Sequence, residues 1–177
     1  MSRIGNKPIK VPSEVKIEIN GTVVTLKKGD QTKTYDFGDE VVVKFENGEL
    51  HVIKANDNEV STKFVGLHRS NLNNIIKGLV EGYKIVLEYN GVGYKALVSK
   101  QFLVLTLGYS HDIALKIPSN IQVTPEKPNL ISLVSNDKMA VGMFADRIRS
   151  LRRTEPYKGK GIKYQGETIL RKQGKKK

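Results

Sequence analysis

In YKGKGIKY (157–164), Lys158, Lys160 and Lys163 alternate with Gly159 and Gly161, and Tyr157 and Tyr164 bracket the run. Lysines offer point charges to phosphate oxygens. Glycines let a backbone approach a phosphate ridge closely. Tyrosine rings can stack on a base or a ribose. Just upstream, Arg149, Arg152 and Arg153 stand three and four residues apart, which places them on one side of a predicted helix end. Their planar forks can hold phosphate oxygens bidentately, as a lysine cannot. Downstream, Arg171, Lys172, Lys175, Lys176 and Lys177 lengthen the positive strip. From Arg147 to Lys177 there are 12 basic and two acidic residues, a formal +10 out of +12 for all 177 residues. The preceding 146 residues hold 18 basic and 16 acidic side chains, close to balance. So local a charge fits polyanion binding, in which each neutralised phosphate releases condensed counterions. A purely solubilising tail has no need of tyrosines and spaced glycines.

Other chemistries have thin support. The chain has no cysteine, so disulfides and thiolate metal sites are excluded. His51, His68 and His111 are far apart and read as packed or surface residues rather than ligands or bases. No nucleophile elbow, zincin helix or carboxylate pair is present, so no catalytic residue, metal, cofactor or small-molecule substrate is expected. Gly91-Val92-Gly93 is half a dinucleotide fingerprint. It sits before a predicted strand, however, where phosphate cradling needs a helix N-terminus. The neighbouring Tyr94 and Lys95 can serve as a secondary RNA contact at a strand edge. The opening MSRIGNKPIKVP resembles neither a signal peptide nor a lipidation signal, and no apolar run is long enough to span a bilayer. After Leu151 the apolar residues are too few and too interrupted by glycine for a membrane-surface helix. The expectation is a soluble cytoplasmic protein with no membrane partner.

Several elements must position these residues. Asn20-Gly21, Asn47-Gly48 and Asn90-Gly91 each lie between β-rich runs and predict three hairpins with two-residue type I′ turns. Phe64, Leu67, His68, Leu72, Ile75, Ile76 and Leu79 predict an amphipathic helix, capped by Ser61 or Thr62 and ended by Gly78 or Gly82. Ala140, Phe144, Ile148 and Leu151 predict a second, with Asn136 or Asp137 as cap and Met139, Val141 and Met143 widening the stripe. Eighty positions apart, Leu50 matches Leu130, Asn56-Asp57 matches Asn136-Asp137, Phe64 matches Phe144 and Arg69-Ser70 matches Arg149-Ser150. The same order of strands, Asn-Asp loop and helix recurs around those identities. The fold class expected is α+β, an internal duplication of two similar domains. Each is a small, mainly antiparallel sheet packed against one α-helix. Their bounds are 1–82 and 83–153, joined by Glu81-Gly82-Tyr83, and 154–177 follows as a basic Gly/Lys/Tyr tail, free by default.

EPYKGKGI (155–162) with the following KYQGETILRKQGKK resembles the C-terminal signature of the bacterial large-subunit ribosomal protein L6 family. SRIGNKPIKVP and GVGYKA (91–96) resemble two further stretches of it, so the likeness spans both ends and the middle. The resemblance implies a non-catalytic constituent of the large ribosomal subunit. Its two similar domains would bind 23S-type rRNA mainly through the second and the tail. It would lie near the base of the lateral stalk and the sarcin–ricin loop, with neighbouring ribosomal proteins as partners. The family commonly has proline where this chain has Thr154, and without it the second helix can continue a residue or two. A free-standing nucleic-acid-binding protein or RNA chaperone is the alternative that composition alone leaves open.

Overall fold

The computed structural model describes residues 5–55, 59–127 and 129–174. The chain divides between Gly82 and Tyr83 into two compact units. The first contains β1 (Ile9–Lys10), β2 (Lys16–Asn20), β3 (Val23–Lys28), β4 (Gln31–Asp36), β5 (Val41–Glu46), β6 (Glu49–Lys54) and α1 (Glu59–Val80). The second contains β7 (Tyr83–Asn90), β8 (Lys95–Ser99), β9 (Phe102–Thr106), β10 (Ile113–Lys116), β11 (Gln122–Lys127), β12 (Leu130–Ser135), α2 (Lys138–Leu151) and β13 (Gly161–Tyr164). The fold class is α+β, and all the strand ladders are antiparallel.

The duplication is visible in the strand order. The meander β2-β3-β4 recurs as β8-β9-β10, and β6 between β1 and β5 recurs as β12 between β7 and β11. Among the described residues, only the second unit adds a further strand, β13, on the outer edge of β7. Burial sets the correspondence of the central strands one residue away from the sequence identity. Leu50, opposite Ile9, and Ile131, opposite Leu87, are the matching fully buried positions, so the Leu50–Leu130 identity is out of step. The Asn56-Asp57 half of the repeat lies outside the described residues.

The turns follow their chemistry with one exception. Asn47 and Gly48 both have positive φ, 51° and 79°, between Glu46 and Glu49, as a type I′ turn requires. At the first hairpin Asn20 pairs with Val23 as the last rung, and the turn is Gly21-Thr22 with positive φ at Gly21 alone, the pattern of type II′. Asn90-Gly91 is no hairpin: β7 pairs with β12 and β13, while β8 joins a different sheet.

In α1, Val65, Leu72, Ile76 and Leu79 are buried against the sheets, whereas Leu67 is 49% exposed and lies off the core stripe. Ser61 and Thr62 lie inside the helix and not ahead of it. Gly82 ends it, with φ +73° and its N–H donating to the Gly78 carbonyl at 3.1 Å. In α2, Asp137 is the N-cap, its carboxylate accepting from the N–H groups of Met139 and Ala140 at 2.9 and 3.1 Å. Val141, Phe144, Ala145 and Ile148 are its buried face; Met139 and Met143 are exposed, so the apolar stripe is narrower than the sequence pattern.

His68 packs within the first unit beside Phe64 and Tyr35. Asn71 Nδ2 donates to the Tyr35 hydroxyl at 2.9 Å, and that hydroxyl shares a hydrogen bond of 2.8 Å with His68 Nδ1. With a neutral ring bare at Nδ1, the Tyr35 O–H is the donor. Desolvation accordingly lowers the His68 pKa from its ordinary 6.5, against a smaller upward pull from Asp36. Above the ordinary value both folded and unfolded chains hold a neutral ring, so the contribution is complete. As pH falls below it the unfolded chain takes up the proton first, and stability is lost. Urea unfolding of the first unit is expected to weaken between neutral and mildly acidic pH, and His68→Gln should flatten that dependence.

Candidate nucleic-acid interface

The end of α2 and the segment after it form one ordered construction. Helix α2 stops at Leu151, with Arg152 at the C-cap, and the absence of a proline at Thr154 does not lengthen it. Two competitors take the carbonyls that a further turn would use. The Tyr109 hydroxyl donates to the Leu151 carbonyl at 3.0 Å, and the Ile162 N–H donates to the Arg152 carbonyl at 2.8 Å. Glu155 N–H then donates to the Lys160 carbonyl at 2.8 Å, closing a loop that carries Tyr157, Lys158 and Lys160 on its exposed side. Beyond the loop the chain enters β13, paired with β7 from Gly161↔Asn90 to Tyr164↔Leu87. Residues 161–164 are therefore sheet, and the segment from 154 onward is not free along its length.

The two glycines have a different task from the one their sequence spacing implied. A Cβ on Gly161, at φ +131°, would lie 2.6 Å from the Arg153 carbonyl oxygen and 2.7 Å from Thr154 Cα. Its bareness admits the backbone of Arg153 and Thr154. Gly159, at φ +72° and buried, lies beneath the Arg171 guanidinium, which would be 3.4 Å from an added Cβ.

The structure separates the candidate cations into two sets. Arg152, Arg153, Lys158 and Lys160 are exposed and line a concavity of about 750 Å³ together with Tyr109, Ser150, Leu151 and Glu155. Arg171 and Lys172, both exposed, come back to this loop, since the Lys172 N–H donates to the Pro156 carbonyl at 2.9 Å. Arg149, Lys163 and Tyr164 are instead turned to internal work. Arg149 donates to Glu167 Oε1 at 2.5 Å and lies 5.3 Å from the centre of the Tyr164 ring, while Glu167 Oε2 accepts from the Tyr164 N–H at 3.0 Å. Lys163 pairs with Glu88 at 3.2 Å across the β13–β7 ladder, both partly buried. Lys175, Lys176 and Lys177 lie outside the described residues.

Tyr94 and Lys95 part company. The Tyr94 ring is half-buried, filling the space above Gly91, where a Cβ would meet it at 2.6 Å. Lys95 is exposed on the first position of β8. Tyr94 still reaches the site through Arg152: hydrogen bonds first to Tyr109 and then to Tyr94 raise the guanidinium's pKa above its already high value and help hold its direction. Arg152 lies 4.9 Å from the Tyr109 ring centre, and His111 stacks on that ring at 6.3 Å with 25° between planes. Tyr109 and His111 are the residues that motif reading missed. Their signal was local, an aromatic pair in the polar Gly108-Tyr109-Ser110-His111 loop, where no core position explains a ring.

Among the described residues no group of three His, Asp or Glu could hold a metal ion, and no helix is long and apolar enough to cross a membrane. What the concavity offers is four cations beside the Tyr109 ring. The family model for ribosomal protein L6 matches residues 90–165, which contain β8 to β13 and the concavity. The chain is 45% identical to the large ribosomal subunit protein uL6 of Paramagnetospirillum magneticum over all of both chains. It is 43% identical to that of Aliarcobacter butzleri over 99% of this chain and 98% of the relative, and 44% identical to that of Chelativorans sp. over all of both. With likeness of that depth along its full length, the chain belongs to the ribosomal protein L6 family.

Proposed function

We infer that this chain is a structural, non-catalytic constituent of the large ribosomal subunit that binds 23S-type rRNA mainly through its second unit. The observation that carries the reading is the concavity: Arg152, Arg153, Lys158 and Lys160 converge there, and none has a carboxylate partner among the described residues. Four cations held together by backbone hydrogen bonds face solvent with their charge unspent, and a folded RNA supplies phosphates at that density. Tyr157, exposed on the same loop, and the Tyr109–His111 pair add flat surfaces for an unpaired base or a ribose. Arg171 and Lys172 extend the basic track, and Lys175, Lys176 and Lys177 add three further positive charges to the sequence. Arg149, Lys163 and Tyr164 act by holding the platform. Lys95 is not among the residues lining the concavity, and Tyr94 bears on it through Arg152.

Its seat is near the base of the lateral stalk, in the factor-binding region, with ribosomal proteins as neighbours; the support is the family resemblance. The first unit, nearly neutral, makes fewer RNA contacts. Competition separates this reading from a free-standing nucleic-acid binder. A fragment of large-subunit rRNA with its folded junctions should displace random-sequence duplex from the chain by at least about a hundredfold in affinity at raised salt, where the sequence-independent part of binding falls away. Equal affinity for the two would overturn the reading.

A further inference from the structure

The duplication supplies an internal comparison. The three-stranded meander of each unit has one face on its own core and one outward, so the same fold position can be compared twice within one chain. In the first unit the central outward row, formed by cross-strand pairing, is Glu18, Thr25 and Thr34. It is polar, and Lys27 beside it pairs with Glu18 at 3.0 Å. In the second unit the equivalent row is Leu97, Val104 and Ala114. Next to it stands Phe102, paired with Ser99 on one side and Lys116 on the other. Leu97 is 64% exposed and Phe102 45%. Folding does not require an apolar central row or a large ring here: the sister unit builds the same sheet with Glu18, Thr25 and Thr34 in that row and Val23 at the Phe102 position.

The rim of the apolar row has one sign. Lys95 opens β8, Lys100 sits at the β8–β9 turn and Lys116 closes β10, all three exposed. None has a carboxylate partner among the described residues, and the nearby acid Asp112 is held by the Thr106 hydroxyl at 2.8 Å. Three strands about 4.8 Å apart and about five residues long give a face of roughly 15 by 15 Å, the footprint of one helix about 10 Å wide rather than of a whole domain.

We propose that the outward face of β8-β9-β10 is a docking surface for an amphipathic segment of a neighbouring protein, with apolar residues meeting Leu97, Phe102 and Val104 and acidic residues meeting Lys95, Lys100 and Lys116. Aliphatic side chains at the centre favour a protein over a nucleic acid, because bases stack on rings and planar guanidinium groups, and the row itself has no ring, Phe102 standing beside it. The charge rim then selects an acidic partner. This proposal rests on the chain's residence in the large subunit.

The test places the photo-crosslinking residue p-benzoylphenylalanine at position 97 of the full chain and assembles it into large subunits. Sedimentation reports residence; the cross-linked product reports the face. The expected product joins position 97 to a peptide of another subunit protein that has acidic residues flanking apolar ones. Its yield should fall about tenfold with Lys95→Glu, Lys100→Glu and Lys116→Glu combined, and also with Phe102→Thr. Cross-linking to rRNA, no cross-link from a chain that sediments with the particles, or a product indifferent to the three charge reversals would each overturn the proposal. A chain that fails to sediment with the particles would remove both the residence and the docking surface that depends on it.

Discussion

With Arg152, Arg153, Lys158 and Lys160 all changed to glutamine, affinity for a large-subunit rRNA fragment is expected to fall on the order of a thousandfold at about 0.1 M salt. The magnitude follows from counterion release. Each phosphate contact contributes a slope of about 0.7 to 0.9 in log affinity against log salt, so between about 0.1 and 1 M one contact changes affinity by roughly five- to eightfold. Four lost contacts therefore remove about three to three and a half decades, and the slope itself should become shallower by about three. Fold is not at stake to the same degree, because all four side chains are exposed. Of the four, Arg152 has a ring contact to lose, and it lies at an exposed position. Filter binding across a salt series would read both numbers. An unchanged slope would mean that recognition belongs to some other surface.

The second large effect concerns β13. Ile162 is fully buried, between the β7 ladder and the core that α2 completes. Ile162→Ala is expected to destabilise the second unit by about 2–5 kcal/mol, the range for removing a large aliphatic side chain from a packed core. Leu170→Ala, eight residues later, should be close to neutral, since Leu170 is 86% exposed. Removing everything from residue 154 onward is expected to unfold the second unit outright rather than trim an appendage, because the sheet loses its outer strand and the core loses Ile162. Two-transition urea unfolding, followed by circular dichroism, distinguishes a lost second unit from a retained first one. If the truncated chain kept both transitions, β13 would be an accessory and not part of the fold.

The contrast shows what composition can and cannot disclose. Clustered lysines and arginines pointed to polyanion binding, and of them Arg152, Arg153, Lys158 and Lys160 share one concavity. Charge counting could not tell these from Arg149 and Lys163, whose charges are met by Glu167 and Glu88. The first partner lies in a stretch that reads as featureless, and the second across a ladder whose existence was not evident. GIKY is four residues long, too short for alternation to register as a strand. Missing it also hid the close approach of Gly161 to the backbone of Arg153 and Thr154.

A similar limit explains the turns and helices. Asn47-Gly48 was legible because a two-residue hairpin is decided within the turn itself, by positive φ at both positions. Asn90-Gly91 has the same letters, but both edges of β7 are occupied by β12 and β13, a fact that only distant sequence decides. The α1 stripe was right in period and wrong in breadth: it admitted Leu67, which is half-exposed, and passed over Val65, which is buried. The α+β duplication survived these errors because it rests on the order of elements.

The location of β13 has a consequence for how the protein is born. The first unit possesses all its described elements once Val80 has been made, whereas the second awaits Tyr164, more than eighty residues on. At synthesis rates of about 5–20 residues per second, that interval lasts roughly 4 to 17 seconds. From the completion of β7 at Asn90 onward, one half of the newborn chain can already be native while the other carries β7 with a bare outer edge, open to any wandering strand. The last four-residue strand made is thus also the stopper that seals the nascent sheet.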